Sequence, residues 1–204
     1  MSYEALSSGE IATVVTYLEM NSPPYSGVPP SSLSLRRIEQ PSAEEYRALF
    51  RLVGAPWLWF SRLVLDDSTL EEIIRDPRVE LYAVQNEERR ESGMLELDFR
   101  QRGECELAFV GLVPELSGKG HGRWLLAEAV ERAWRDDVKR VHVNTCSLDH
   151  PAALSAYRRA GFTPYRRAIE RFDDPRLLGI LPPDSAPQVP LLGTVGSVAP
   201  RPDR

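Results

Sequence analysis

The hydrophobic and polar positions change period several times along the chain, and each change marks an element. Residues 11–20 are dense in β-branched and apolar side chains and predict a strand, followed by a proline- and serine-rich connector over 21–32. A second strand is expected at 33–39. Ser42 and Glu45 form a capping-box pair ahead of Tyr46, Leu49, Phe50 and Val53, which recur at helical spacing until Gly54 stops the pattern. Ser68 and Glu71 repeat that signature before Leu70, Ile73 and Ile74, and Pro77 closes this shorter helix. The aromatic run Trp57-Leu58-Trp59-Phe60 lies between the two helices.

Strands follow at 79–84, 94–99 and 104–113, with polar turns at 86–90 and 101–103, which describes an antiparallel meander. The period then becomes helical, since Leu126, Val130, Ala133 and Trp134 recur after a glycine-rich stretch at 118–122. Residues 141–145 read as a strand, 151–160 as a helix ended by Gly161, and 162–172 as one or two closing strands. Beyond Asp173 the chain turns to proline and small residues, which predicts a mobile or loosely draped tail. The expected organisation is an N-terminal strand and connector over 1–32, one folded domain over 33–173 and a tail over 174–204.

Composition narrows the function classes. A length of 204 residues suffices for one domain with a sizeable core, and no apolar run approaches the ~20 residues that span a bilayer, so no membrane span is expected. The first ten residues lack the basic cluster and apolar stretch of a secretory signal, which makes the cytoplasm the expected location. A formal net charge of −5 argues against a nucleic-acid partner and tilts any partner toward a cation. The acidic residues Glu44, Glu45, Asp66, Asp67, Glu71 and Glu72 read as solvated helix faces. Cys105 and Cys146 lack zinc-site or disulfide-scaffold spacing and read as buried free thiols, and no metal is expected.

The strongest chemical signal is the segment Ser117, Gly118, Lys119, Gly120, His121, Gly122 and Arg123, which joins a strand to a helix start. Unpaired backbone N–H groups and the positive end of the helix dipole make such a terminus an anion site. The glycines let the backbone approach a phosphate, while Lys119 and Arg123 add charge beside a pyrophosphate. A P-loop is excluded because Lys119 is followed by Gly120 rather than Ser or Thr. A dinucleotide fingerprint fails on glycine spacing and on the lack of a repeated βαβ pattern. Phosphate binding and a ligand-free tight turn both remain open on the loop alone.

Three features together resemble the GNAT acetyltransferase superfamily: the strand over 105–113, the loop and helix over 117–134, and the segment over 148–162. That last segment ends in Tyr157-Arg158-Arg159-Ala160-Gly161-Phe162, a Tyr-x-x-x-Gly-Phe signature. The resemblance implies an α/β (α+β) fold, a mixed but mostly antiparallel sheet flanked by about four helices and splayed between its fourth and fifth core strands. It implies acetyl-CoA as cosubstrate, with the pantetheine arm lying in the splay beside Val110, Leu112 and Val113. An amine would be the acceptor, and monomer and homodimer are both compatible. A backbone N–H of the first splayed strand, at Val110 or its neighbour, would face the developing oxyanion. The family's loop pattern falls on Ser117, Gly120 and Gly122, with Ser117 in place of Gln or Arg, and His150 stands where many members hold an asparagine.

An amine with a pKa of ~10.4 must lose a proton before it attacks, so a base or a water chain is needed. Glu106 occupies the position of the family's glutamate, and alternation places it on one face with Ala108 and Val110. Glu96 and Asp98 on the neighbouring strand are lesser candidates. Tyr157 matches the family tyrosine and would protonate the leaving thiolate. Trp57, Trp59 and Phe60 sit where the family builds its acceptor pocket, or else belong to a plain core. His150 also reads as a first-turn helix residue after an Asp149 cap. Neither cysteine has a visible base partner, which favours direct transfer in a ternary complex over an acyl-enzyme. A catalytically silent acyl-CoA sensor and an interaction protein remain alternatives.

Overall fold

A computed structural model of the protein describes residues 3–24 and 27–193. Its elements in chain order are β1 (Glu10–Met20), β2 (Ser34–Ile38), α1 (Ala43–Gly54), α2 (Asp67–Ile74), β3 (Val79–Gln85), β4 (Glu91–Asp98), β5 (Glu104–Leu112), α3 (His121–Ala133), β6 (Arg140–Cys146), α4 (Ala153–Arg159) and β7 (Thr163–Asp173). Among the described residues the seven strands form one sheet in the order β2-β3-β4-β5-β6-β1-β7. Every neighbouring pair is antiparallel except β5 and β6. This is the mixed, mostly antiparallel α/β architecture expected from the sequence.

Helix α1 starts as its capping box predicts: the Ser42 side chain accepts from the Glu45 N–H, and Glu45 reaches back to the Ser42 N–H. Helix α2 differs from expectation. Asp66, rather than Ser68, caps it, taking the Thr69 N–H at 2.8 Å and the Ser68 hydroxyl at 2.6 Å. A carboxylate satisfies helix-start donors and the dipole better than a hydroxyl does, so it wins the cap. Ser68 becomes one of its donors.

Two cores sandwich the sheet. On one face Tyr46, Leu49, Phe50 and Val53 of α1 and Leu70 and Ile74 of α2 pack on Leu81, Ala83 and Met94. On the other, Trp124, Leu125, Ala129, Val130 and Ala133 of α3 pack on Leu95, Leu97, Leu107, Val141 and Val143. Helical spacing of the apolar positions in α1 and α3 dictates these stripes.

Both chain ends depart from the expected domain limits. Strand β1, expected outside the domain, lies inside the sheet, with Leu18 opposite Val143 of β6 and Val15 opposite Ala168 of β7. The closing strand β7 pairs with β1 alone, so residues 33–173 do not make a complete sheet. The segment after β7, expected to be a mobile or loosely draped tail, is packed through about residue 189; residues 194–204 lie outside the described residues. Arg176, only 1% exposed, grips Asp174 with two nitrogens at 2.7 and 3.0 Å. Its remaining nitrogen donates to the carbonyls of Ser185 at 3.1 Å and Val189 at 2.9 Å. The prolines serve turns here, since the Pro175 carbonyl accepts from Ile180 and Leu181, and that of Pro182 from Ser185. Leu181 and Ala186 then pack on Leu58.

Because both charges of the Asp174–Arg176 pair are buried, Arg176→Ala strands a carboxylate and should cost about 3–5 kcal/mol in urea unfolding. A loss below about 1 kcal/mol would mean that the segment contributes little. Asp66 supplies a pH signature. The hydroxyl and N–H donors of Ser68 and Thr69 lower its pKa to about 2, below the ~3.9 of an unfolded chain. Its stabilisation is therefore complete above the unfolded value and lost as pH falls through about 2. Asp66→Asn should be less stable than the parent at pH 7, with the gap closing toward pH 2; a pH-independent gap would contradict this reading.

Candidate functional site

β5 and β6 run parallel and are paired only at Glu104–Arg140, Cys105–Val141 and Glu106–His142. Beyond those pairs the strands part, and a cavity of about 1540 Å³ occupies the gap and its two mouths. β5 also carries a bulge. Glu96 of β4 faces Phe109 while Leu97 faces Leu107, which leaves Ala108 as the extra residue.

The bulge corrects the expected alternation of Glu106, Ala108 and Val110. Opposed residues share a face, so Asp98 with Glu106 and Glu96 with Phe109 put Glu106 and Phe109 on the α1 side. Val110 and Leu112 join Leu107 on the α3 side, where they pack against that core. Unbroken alternation would have put Glu106 and Val110 together; the extra residue reverses the phase between them. Both faces of the strand reach the same cavity through the gap.

At one mouth lies the glycine loop. Gly118 and Gly120 adopt φ of +74° and +84°, and a Cβ built at Gly118, Gly120 or Gly122 would meet no atom within 4 Å. The Ser117 N–H donates to the Pro114 carbonyl and those of Arg123 and Trp124 to Gly120. Among the described residues no hydrogen bond engages the N–H groups of Gly118, Lys119, Gly120, His121 or Gly122. Five successive free donors above an open surface form a cradle for an anion. Ser117, Gly118, Gly120, Gly122 and Arg123 line the cavity, with Val110 and Leu112 below them. Three expected residues do not line it. Lys119 is exposed beside it, the His121 ring turns to Ser31 at 3.1 Å, and the Val113 N–H is spent on the Ser92 carbonyl at 2.9 Å.

Farther in, Tyr157 and Glu106 line the same cavity. The Tyr157 ring meets Phe162 edge-on at 5.9 Å, and its hydroxyl has no hydrogen-bond partner among the described residues. Burial raises the pKa of that hydroxyl above the usual phenol value, and the negative charge of Asp149 adds to the shift. Glu106 receives the Asn144 amide at 3.4 Å.

The two lesser carboxylates are committed elsewhere. Glu96 is fully buried between the Tyr46 hydroxyl at 2.5 Å and an Arg62 nitrogen at 2.6 Å. Burial, reinforced by Glu96, drives the Tyr46 pKa far up and keeps it a neutral donor. Asp98 is paired with Arg100 at 2.6 Å; burial opposes its ionisation, but the Arg100 hydrogen bonds outweigh this and leave its pKa lowered. Burial raises the pKa of both the Cys105 and Cys146 thiols. No group of three or more His, Cys, Asp or Glu among the described residues is placed to hold a metal ion, and no helix there is long and apolar enough to cross a membrane.

Opposite the glycine loop, Trp57, Trp59 and Phe60 line the cavity as half-buried rings. Asp149 holds this wall, and its role differs from the expected helix cap. Its carboxylate accepts from Trp59 Nε1 at 3.0 Å, Thr145 Oγ1 at 2.7 Å and the Cys146 N–H at 2.8 Å. Helix α4 begins later, at Ala153, with no side-chain cap. His150 stands edge-on to Trp57 at 5.2 Å, and its Nδ1 accepts the Ala152 N–H. Sequence spacing offered no sign that Asp149 would face back toward a loop ninety residues earlier.

The structure resembles solved acetyltransferases of low sequence identity. A GCN5-related N-acetyltransferase from Sphaerobacter thermophilus is 20% identical at a TM-score of 0.57, over 82% of this chain and 52% of that one. One from Kribbella flavida is 19% identical with a TM-score of 0.54, over 82% of this chain and 60% of that one. An aminoglycoside acetyltransferase from an uncultured soil metagenomic sample, solved with sisomicin, is 15% identical with a TM-score of 0.51, over 64% of this chain and 88% of that one. The chain thus spans between half and two thirds of the length of the two GCN5-related proteins. No curated protein matches it in sequence. The family model of the GNAT acetyltransferases aligns with residues 43–162, from the start of α1 through Phe162, and the chain belongs to that family.

Proposed function

We propose that the protein is an N-acetyltransferase that moves the acetyl group of acetyl-CoA directly to a primary amine. The observation that carries this reading is the run of unengaged N–H groups at 118–122, opening into the cavity that Tyr157 and Glu106 share. The residues fit the cosubstrate: the amides and Arg123 suit a diphosphate, and the parted strands leave room for a pantetheine arm along Val110 and Leu112. Acetyl-CoA supplies an acyl group activated as a thioester.

This chain's own residues supply the rest. A backbone N–H of β5 near the bulge and Val110, on the edge that β6 leaves unpaired, would donate to the carbonyl oxygen as it gains negative charge. Glu106 accepts a proton from the acceptor ammonium, directly or through water. Tyr157 keeps its proton at neutral pH, because burial and Asp149 both disfavour the phenolate, and so can donate it to a departing thiolate. Burial disfavours the thiolate of both Cys105 and Cys146, which supports direct transfer over an acyl-enzyme.

Gly122→Glu is the cleanest test of the loop, because this glycine sits in α3 without a positive φ and a Cβ there meets nothing. Calorimetry should show CoA binding weakened by about two orders of magnitude with an unchanged thermal midpoint. Unaltered affinity would remove the loop from the site. Tyr157→Phe should lower kcat by about 10²-fold with little change in the Kd of acetyl-CoA. Equal losses in both would make it a packing residue, and acetyl-CoA binding with no CoA release on any amine would make the protein a sensor.

A further inference from the structure

We infer that the acceptor is a primary ammonium carried on a flat aromatic body, an arylalkylamine rather than a polyamine or an amino sugar. This rests on the proposed N-acetyl transfer and extends it to the substrate class. The acceptor side of the cavity is lined by Trp57, Trp59, Phe60, Phe109 and Phe172, none of them fully buried. The rings are arranged in tilted pairs: Phe60 with Phe172 at 4.9 Å and 42°, and Trp59 with Phe109 at 5.3 Å and 54°. A cluster of half-covered rings in a cavity is apolar surface left in water, and it gains most from an apolar, stackable ligand. A sugar matches such rings only through its C–H faces and brings hydroxyls that an apolar wall cannot satisfy.

The wall is also preorganised. Trp59 is fixed at its nitrogen by Asp149, and its ring lies so close to the backbone that a Cβ on Gly54 would come within 2.6 Å of it and one on Gly111 within 3.1 Å. The loop that carries the rings is tied down from behind, with Gln188 donating to the Pro56 carbonyl at 2.7 Å and Leu58 packed on Leu181 and Ala186. A rigid aromatic wall selects by shape and loses little entropy on binding.

Charge supplies the second half of the specificity. Of the arginines that line the cavity, Arg62 and Arg100 are neutralised by Glu96 and Asp98, whereas Arg123 and Arg159 stand on α3 and α4. Glu106 and Asp149 receive only neutral donors, so their negative charge faces the cavity uncancelled. A single ammonium near Glu106, joined by a short linker to a ring among Trp57, Phe60 and Phe172, satisfies both features.

The test compares kcat/KM for phenethylamine and tryptamine with spermidine and an aminoglycoside at saturating acetyl-CoA, together with tryptamine binding by calorimetry on the CoA complex. The aromatic amines should exceed the others by about tenfold or more, on the scale set by burying or losing a ring contact. Trp57→Ala and Phe60→Ala should raise KM for the aromatic amines about tenfold, with the Kd of acetyl-CoA unchanged. Equal or faster turnover of spermidine or the aminoglycoside would overturn the inference, as would variants whose aromatic-amine KM does not move. Failure of the underlying function reads differently: tryptamine would bind and weaken with Trp57→Ala while no amine was acetylated. That result upholds the pocket's preference and removes the transferase. Absence of both acetyl-CoA and tryptamine binding removes both.

Discussion

The parting of β5 and β6 after only three residue pairs is the constraint on which the rest of the molecule depends. Two parallel strands that stayed paired would close the sheet, and the interior between α1 and α3 would be filled by side chains. By diverging they leave unpaired backbone inside the protein, which is costly unless something else meets those groups. The cavity is the consequence. The bulge at Ala108 is a second departure from regular pairing on the same strand, and it turns Phe109 toward α1 and Val110 toward α3 within two residues. One short stretch of β5 thereby faces both the glycine loop and the aromatic wall.

Charge is zoned along that cavity by the same economy of pairing. Arg62 and Arg100 line the cavity but each is held by a carboxylate from β4, and burial of Glu96 makes its pairing with Arg62 and Tyr46 obligatory. Among the lining charges without an ion-pair partner, Arg123 stands with the bare amides at one mouth and Glu106, Asp149 and Glu170 around the aromatic wall, while Arg159 and Glu131 lie on α4 and α3. An anion is favoured at the first and a cation at the second. Asp149 joins the zones mechanically as well, since its oxygens tie the Trp59 loop to the end of β6 while its charge adds to the burial that keeps the Tyr157 proton in place. Thr145 and Cys146 are local partners of Asp149, but the Trp59 bond that makes it a hub spans ninety residues and depends on tertiary structure.

How much could be read beforehand depended on whether the signal was local. The capping box of Ser42, the helical stripe of α1 and the turn from strand to glycine loop to helix are written in neighbouring residues, and they fold as read. The glycine loop's open donors followed from the same local logic. The phase of β5 did not, because a bulge is decided by the partner strand: nothing around Ala108 says that Leu97 will choose Leu107 while Glu96 chooses Phe109. Asp66 against Ser68 was a competition between two adjacent caps that spacing alone could not rank. The C-terminal segment misled by composition, since its prolines suggested disorder while Arg176, Leu177 and Leu181 held the apolar and ionic anchors that fold it.

Strand order was the least legible feature, and it alters what counts as the domain. β1 precedes the connector in sequence yet sits between β6 and β7, so the wall made by Glu106, Asn144, Cys146 and Thr13 uses three strands from far-apart stretches of chain. Among the described residues β7 pairs with no other strand, and the buried Asp174–Arg176 pair begins where β7 ends, with the Asp174 N–H bound to the Gly9 carbonyl just before β1. The segment that braces the aromatic loop therefore hangs from the N-terminal strand. Since a long-range pairing forms only after the entropy of closing a long loop is met, loop closure favours formation of the β3–β4–β5 meander and its helices ahead of the aromatic wall. The anion cradle, built from consecutive residues, needs none of this. The two halves of the site thus differ in kind: one is a local property of residues 117–123, and the other exists only when both ends of the chain are in the same sheet.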